Sequence, residues 1–177
     1  MYIWLGINVD GQLSDLRGRA EEIEKGFGVK NSCYTLPMHI SLKISFPMEE
    51  AFFESVLADV EKIYSSHKAF DIEVDGIENE SVIVWIRMKE NEKLNAIHDE
   101  LNELLLEKYG VPLHEYDMDY KFHTTLFMDS DTDKMNAAYD AIKNVPVPKT
   151  LRADRFIIGT SRSGALGTYS VYKEIMI

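Results

Sequence analysis

The stretch MHISLK, residues 38–43, decides how this chain is read. His39, Ser41 and Lys43 alternate with the apolar Met38, Ile40 and Leu42. Successive side chains of a strand point to opposite faces, and residues two apart share a face about 7 Å apart. The run therefore predicts a strand that carries His39, Ser41 and Lys43 together, with Ile40 and Leu42 behind them. A single histidine on a strand says little. Its meaning comes from a second run 84 residues on, FHTTLF at 122–127. Both read histidine, any residue, a hydroxyl residue, leucine, so His123 and Thr125 form a second pair like His39 and Ser41. Thr124 is less apolar than a core position asks for, and the second alternation is weaker for it.

Working outward, the order of elements repeats as well. YIWLGINV (2–9) reads as a strand from its β-branched and aromatic content. Ser14 is placed to cap a helix whose apolar face is Leu16, Ala20, Ile23 and Phe27. Pro37 favours an extended Leu36, and the first motif strand runs through Phe46. Residues 49–66 carry a wide helical stripe. FDIEVDGI and SVIVWIRM, joined by the turn-prone ENE, read as a hairpin. Asn91 can cap the next helix, which ends near Gly110 with Pro112 beyond. An acidic loop, HEYDMDY, leads into the second motif strand, KFHTTLFM. A helix over 132–144 and two closing strands, LRADRFIIG and TYSVYKEIMI, complete the chain. Helix, strand, helix and strand pair thus occur twice, with the first strand left over, as an internal duplication would leave them. The expectation is an α+β fold of one bilobal domain, 1–177, with approximate halves 1–90 and 91–177. Strand 2–9 is free to pair in the other lobe, and a pseudo-two-fold axis brings the two motif strands to a central cleft.

Composition narrows the function. At 177 residues and 45% hydrophobic content, the chain has material for one ordinary core. A net charge of −11 argues against broad electrostatic binding of long nucleic acid, which uses a basic surface. A small phosphate ligand held by a few local groups remains open. The N-terminal run has neither the basic region nor the cleavage site of a signal peptide. No apolar run reaches the roughly 18–20 residues of a membrane span. Cys33 is the single cysteine, so neither an internal disulfide nor a cysteine zinc site can form. A packing role for Cys33 and a reduced, cytoplasmic setting are the simplest readings.

The paired motifs suit phosphate chemistry. An imidazole N–H and a hydroxyl on one face can donate to different oxygens of one phosphoryl group, and two such pairs across a cleft surround one phosphorus. Two histidines can also divide acid–base work, one neutral and one protonated, because the unperturbed pKa of about 6.5 lies near neutrality. This scheme needs no metal and no cofactor. At His39-Ile40-Ser41-Leu42 and His123-Thr124-Thr125-Leu126 the chain resembles the two-histidine (2H) phosphoesterase superfamily, which includes 2′-5′ RNA ligase-like proteins and cyclic nucleotide phosphodiesterases. The resemblance implies a duplicated bilobal fold with two antiparallel sheets flanked by helices around a cleft. It also implies metal-independent chemistry on 2′,3′-cyclic or 2′-5′ phosphodiesters of nucleotides or RNA ends. His39 and His123 would be catalytic, with Ser41 and Thr125 holding phosphate. The run SLKISFP after the first motif departs from the Leu-x-Phe-Leu-Gly ending common in the RNA ligase-like branch.

Other candidates stand beside these. Lys43 continues the His39 face and is a candidate phosphate ligand. Tyr34, Tyr120 and Phe127 are candidates for stacking a base, whereas Phe46 and Phe122 fall on apolar faces. Arg152, Arg155 and Arg162 are further cations near the closing strands. His114, Asp117, Asp119 and His123 invite a metal reading, but their spacing fits no metal motif and an acidic surface loop is simpler. His67 and His98 read as structural or exposed. GTSRSG lacks the Gly-Lys-Ser/Thr of a phosphate loop. Two alternatives to an enzyme remain: a non-catalytic nucleotide-binding module with the same cleft, and a partner-binding protein that uses its acidic surface.

Overall fold

Local signals set the ends of the elements. The computed structural model describes residues 1–29 and 36–177, and Cys33 and Tyr34 lie outside them. The first unit comprises β1 (Tyr2–Asn8), α1 (Ser14–Phe27), β2 (His39–Pro47), α2 (Phe53–Ser66) and β3 (Phe70–Asn79). After it come β4 (Ile83–Met88), α3 (Glu92–Tyr109), β5 (His123–Met128), α4 (Thr132–Ile142), β6 (Thr150–Ala153), β7 (Arg155–Ser161) and β8 (Ser170–Met176). Asn91 caps α3, its side chain accepting from the backbone N–H groups of Lys93 and Leu94. The helix stops at Gly110, whose φ of 67° suits a residue without a Cβ. The start of α1 differs from expectation. Ser14 is the first helical residue, Leu13 takes the cap place, and no side chain bonds the exposed N–H groups. Leu16, Ala20 and Ile23 are buried as the periodicity requires, but Phe27 at the helix end is exposed.

Two four-stranded antiparallel sheets result, in the orders β2-β1-β7-β8 and β5-β4-β3-β6. Position by position, β2 corresponds to β5, β1 to β4 and β7 to β3. The first strand is therefore not left over. It holds in its sheet the place β4 holds in the other, and it pairs with β2 on one side and β7 on the other. Each unit sends a strand across: β3 pairs with β4, and β7 with β1. LRADRFIIG, expected as one strand, divides at Asp154. Its first part, β6, pairs with β3, and its second part, β7, joins the other sheet.

The helices lie on the outer faces. α1 packs on α4 and β5, while α3 packs on α2 and β2, so the first helix of each unit covers the motif strand of the other. Ile3, Leu5 and Ile7 on β1 enter the main core with Leu42, Ile86, Leu101 and Phe127. The other face of β1 carries a second, smaller cluster, in which Trp4 packs with Ile157 and Tyr169. Among the described residues, four α-helices and two antiparallel sheets give the α+β architecture that the duplicated pattern predicts.

Candidate active site

β2 and β5 are the edge strands of their sheets and pack against each other, which brings the two motifs together. Each motif opens its strand: His39 is the first residue of β2, and His123 of β5. In the first sheet His39 pairs with Asn8 and Ser41 with Gly6. In the second, His123 pairs with Arg87 and Thr125 with Trp85. Directly opposed residues of antiparallel strands share a face. Asn8, Gly6, Arg87 and Trp85 therefore belong to the same surfaces as the motifs.

Both histidines are held in the same way. Nδ1 of His39 lies 2.7 Å from the carbonyl oxygen of Pro37, and Nδ1 of His123 lies 2.6 Å from that of Lys121. A carbonyl only accepts, so each Nδ1 donates and each Nε2 is the nitrogen this bond does not use. Both rings are half-buried and rest against an indole. Trp4 lies 4.2 Å from His39 and Trp85 lies 4.3 Å from His123, centroid to centroid. Desolvation pushes His39 down to about 4, opposed by its bond to Pro37 and helped by the charge of His123. Burial also lowers His123, against the bond to Lys121.

A bulge follows each motif. The β1–β2 register skips a residue between Ser41 and Lys43, and the β4–β5 register skips one between Thr125 and Phe127. An extra residue breaks alternation. Leu42 and Lys43 are consequently both buried, as are Leu126 and Phe127. This corrects two expectations. Lys43 does not continue the His39 face: it is 1% exposed and forms an ion pair with Asp117 in the interior. Phe127 is wholly buried and has no face to offer a base.

Asp117 sits in a 3₁₀ turn, Glu115–Asp119, where its carboxylate also accepts from the backbone N–H of His114. Together with Lys43 this commits the acidic loop to structure. His98 on α3 is 4% exposed and joins the same network, with Nδ1 donating to the carbonyl of Leu42 at 2.7 Å. Tyr120 stacks on His98 with ring centroids 4.7 Å apart, so that ring face is occupied. The Tyr120 hydroxyl reaches toward Ser41, and burial raises it far above the usual phenol range. Ser41 and Thr125 stay half-buried on the same strand faces as the histidines.

The arginines singled out from sequence are engaged elsewhere. Arg152 pairs with Asp71, Arg155 lies near Asp154, and Arg162 lines a recess with Met1, Glu50, Phe53 and Glu54. The cation opposite His123 is Arg87, held by Glu78 at 3.3 Å and Asp75 at 4.0 Å. Sequence reasoning missed Arg87, Trp4 and Trp85. The two tryptophans, the only ones in the chain, each lie on the strand that opens a unit, and that was the available signal.

The family model of the 2′-5′ RNA ligase superfamily matches residues 4–164, which include both motifs and helices α1 to α4. The chain belongs to the 2′-5′ RNA ligase (2H phosphoesterase) superfamily. Solved structures share this superfamily's fold. TT0787 of Thermus thermophilus superposes with a TM-score of 0.69 at 16% identity, covering 99% of this chain and 97% of that one. E. coli LigT gives 0.61 at 14% identity, covering 99% and 96%, and LigT has been solved with 3′-AMP and with phosphate. Usb1 of Kluyveromyces marxianus gives 0.52 at 10% identity, covering 99% and 98%. These likenesses speak to the fold alone. No curated protein matches the chain in sequence. At the level of the superfamily the function is that of a phosphoesterase or RNA ligase-like enzyme. Among the described residues no helix is long and apolar enough to cross a membrane.

Proposed function

We propose that this superfamily member is a metal-independent phosphoesterase acting on 2′,3′-cyclic or 2′-5′ phosphodiesters of nucleotides or RNA ends. The observation that carries the reading is the duplicated tether: each histidine donates Nδ1–H to the carbonyl two residues before it, leaving Nε2 for the reaction. The complexes of LigT with 3′-AMP and phosphate support a nucleotide phosphate as the ligand class. His39, pushed down to about 4, is the neutral base. The proton of a singly protonated pair resides on His123, whose charge is one cause of that depression.

On a 2′,3′-cyclic phosphate, His39 Nε2 takes a proton from water as its oxygen bonds to phosphorus. The bond from phosphorus to one ribose oxygen breaks, and His123 Nε2–H gives that oxygen its proton. The product is a phosphomonoester, and proton exchange with solvent restores the pair. Ser41 and Thr125 donate to the non-bridging oxygens as negative charge builds on them. Arg87, opposite His123, lies at the leaving side with its charge balanced by Glu78 and Asp75. No step calls on a metal or cofactor.

The test is a hydrolysis panel of 2′,3′-cyclic nucleotides and 2′-5′ dinucleotides, run with and without EDTA. Turnover of at least one class, indifferent to chelator, is expected. Activity abolished by EDTA, or saturable nucleotide binding with no turnover across the panel, would overturn the proposal.

A further inference from the structure

We propose that Trp4 is a positioning residue for the first motif: its indole N–H fixes the Ser41 hydroxyl as a donor toward the phosphate. The inference rests on the reading that Ser41 holds phosphate. Indole Nε1 can only donate, and it lies 3.0 Å from Ser41 Oγ. Oγ is therefore the acceptor, with one lone pair occupied. That bond directs the serine's own hydrogen away from the indole and leaves it to donate to an anion on the face shared with His39. A free serine hydroxyl rotates; this one is biased by the indole donor.

The fold builds a seat for that indole. Trp4 is 6% exposed. Its cross-strand partner on β7 is Gly159, and Gly6 lies two residues along the same face of β1. A Cβ at Gly159 would fall 2.6 Å from the indole, and one at Gly6 would fall 2.5 Å from it. Neither glycine has a positive φ, so backbone conformation does not demand them. Room for the indole does at Gly159, and at Gly6 the indole and the Ile40 carbonyl, 2.8 Å from such a Cβ, do so together.

The other lobe supplies an internal control. Trp85 also rests its ring on a motif histidine, but its Nε1 reaches Glu78 at 3.4 Å. Ring-on-histidine packing is thus common to both lobes, while the indole N–H goes to Ser41 in the first and to Glu78 in the second. A purely structural tryptophan needs the packing and not the bond.

Trp4→Phe keeps a ring beside His39 and deletes the N–H. The full chain is titrated with inorganic phosphate, and kcat and KM are measured on a 2′,3′-cyclic nucleotide, in wild-type and Ser41→Ala backgrounds. Orientation of one hydrogen bond predicts phosphate affinity and kcat each lower by about three- to tenfold, with thermal unfolding little changed. In the Ser41→Ala background the same substitution should add nothing, because the two residues act as a unit. Unchanged phosphate affinity, or an equal loss in both backgrounds, would overturn the proposal. Should Trp4→Phe fail to fold, Gly159→Ala displaces the indole from behind without touching Ser41, and its loss must show the same dependence on Ser41. A chain that hydrolyses nothing, yet binds phosphate through Trp4 and Ser41 together, would refute the proposed function and leave this inference standing.

Discussion

β2 and β5 carry the same motif and the same bulge, yet they bury opposite chemistry behind it. After Ser41 the bulge turns Lys43 inward to Asp117; after Thr125 it turns Phe127 into the apolar core. Phe127 shows that hydrocarbon suffices at this place in the fold. The ion pair behind β2 is therefore not needed to fill the core, and burying it carries a desolvation penalty. What it adds is connection. Asp117 ties the 3₁₀ turn to β2, His98 ties α3 to the same strand, and Tyr120 brings its hydroxyl toward Ser41. One lobe has a motif strand set in hydrocarbon, and the other has one wired to its neighbours through polar groups.

The largest expected effect tests whether the lobes are equal in catalysis. His39→Ala and His123→Ala should each lower kcat by at least about 10²- to 10⁴-fold while the chain stays folded by circular dichroism. Near wild-type turnover in either variant would mean that only one lobe does chemistry.

Stability should separate the two buried positions. Lys43→Met alone strands the Asp117 carboxylate and should cost about 3–5 kcal/mol in urea unfolding. Adding Asp117→Leu should recover most of that loss. Phe127→Ala should also cost about 3–5 kcal/mol, and no single partner change should repair it, because its loss is a cavity. If the Lys43 and Asp117 losses simply add, the polar network is not the unit described above.

The pH profile sharpens the comparison of the histidines. His39 gains a proton only near pH 4, and burial holds His123 below its ordinary 6.5. The base fails on the acid side and the acid fails on the alkaline side, so kcat/KM should peak below pH 6.5 and fall on both sides. A peak above pH 7 would reverse the assigned environments. Stability follows the same shift. Between about pH 4 and 6.5 the unfolded chain carries a proton on His39 that the folded chain does not, so stability rises with pH across that window.

The smallest effect compares α1 and α3, which hold corresponding places in the two units. Asn91→Ala removes a cap and should cost about 1 kcal/mol by urea unfolding. Ser14→Ala should stay within about 0.5 kcal/mol, since Ser14 caps nothing.

Much of this was legible in the sequence because it is local. Alternation placed His39 with Ser41 and His123 with Thr125, helical spacing found the buried faces, and Asn91 and Gly110 marked the ends of α3. The duplicated motif carried both the fold class and the reading of the site. Local patterns stopped short wherever a second strand set the outcome. The inward turn of Lys43 and Phe127 comes from the skipped residue in the pairing with β1 and β4, which no single strand's alternation contains. The break at Asp154 comes from two sheets competing for one extended run. The indole beside each histidine, the carbonyl tether at each Nδ1 and the guanidinium opposite His123 exist only once strands are side by side. The sequence by itself determined which groups are candidates for the chemistry, because residue type and period are written along the chain. Tertiary structure alone decided which of them face one another, because cross-strand register and burial are properties of segments distant in sequence.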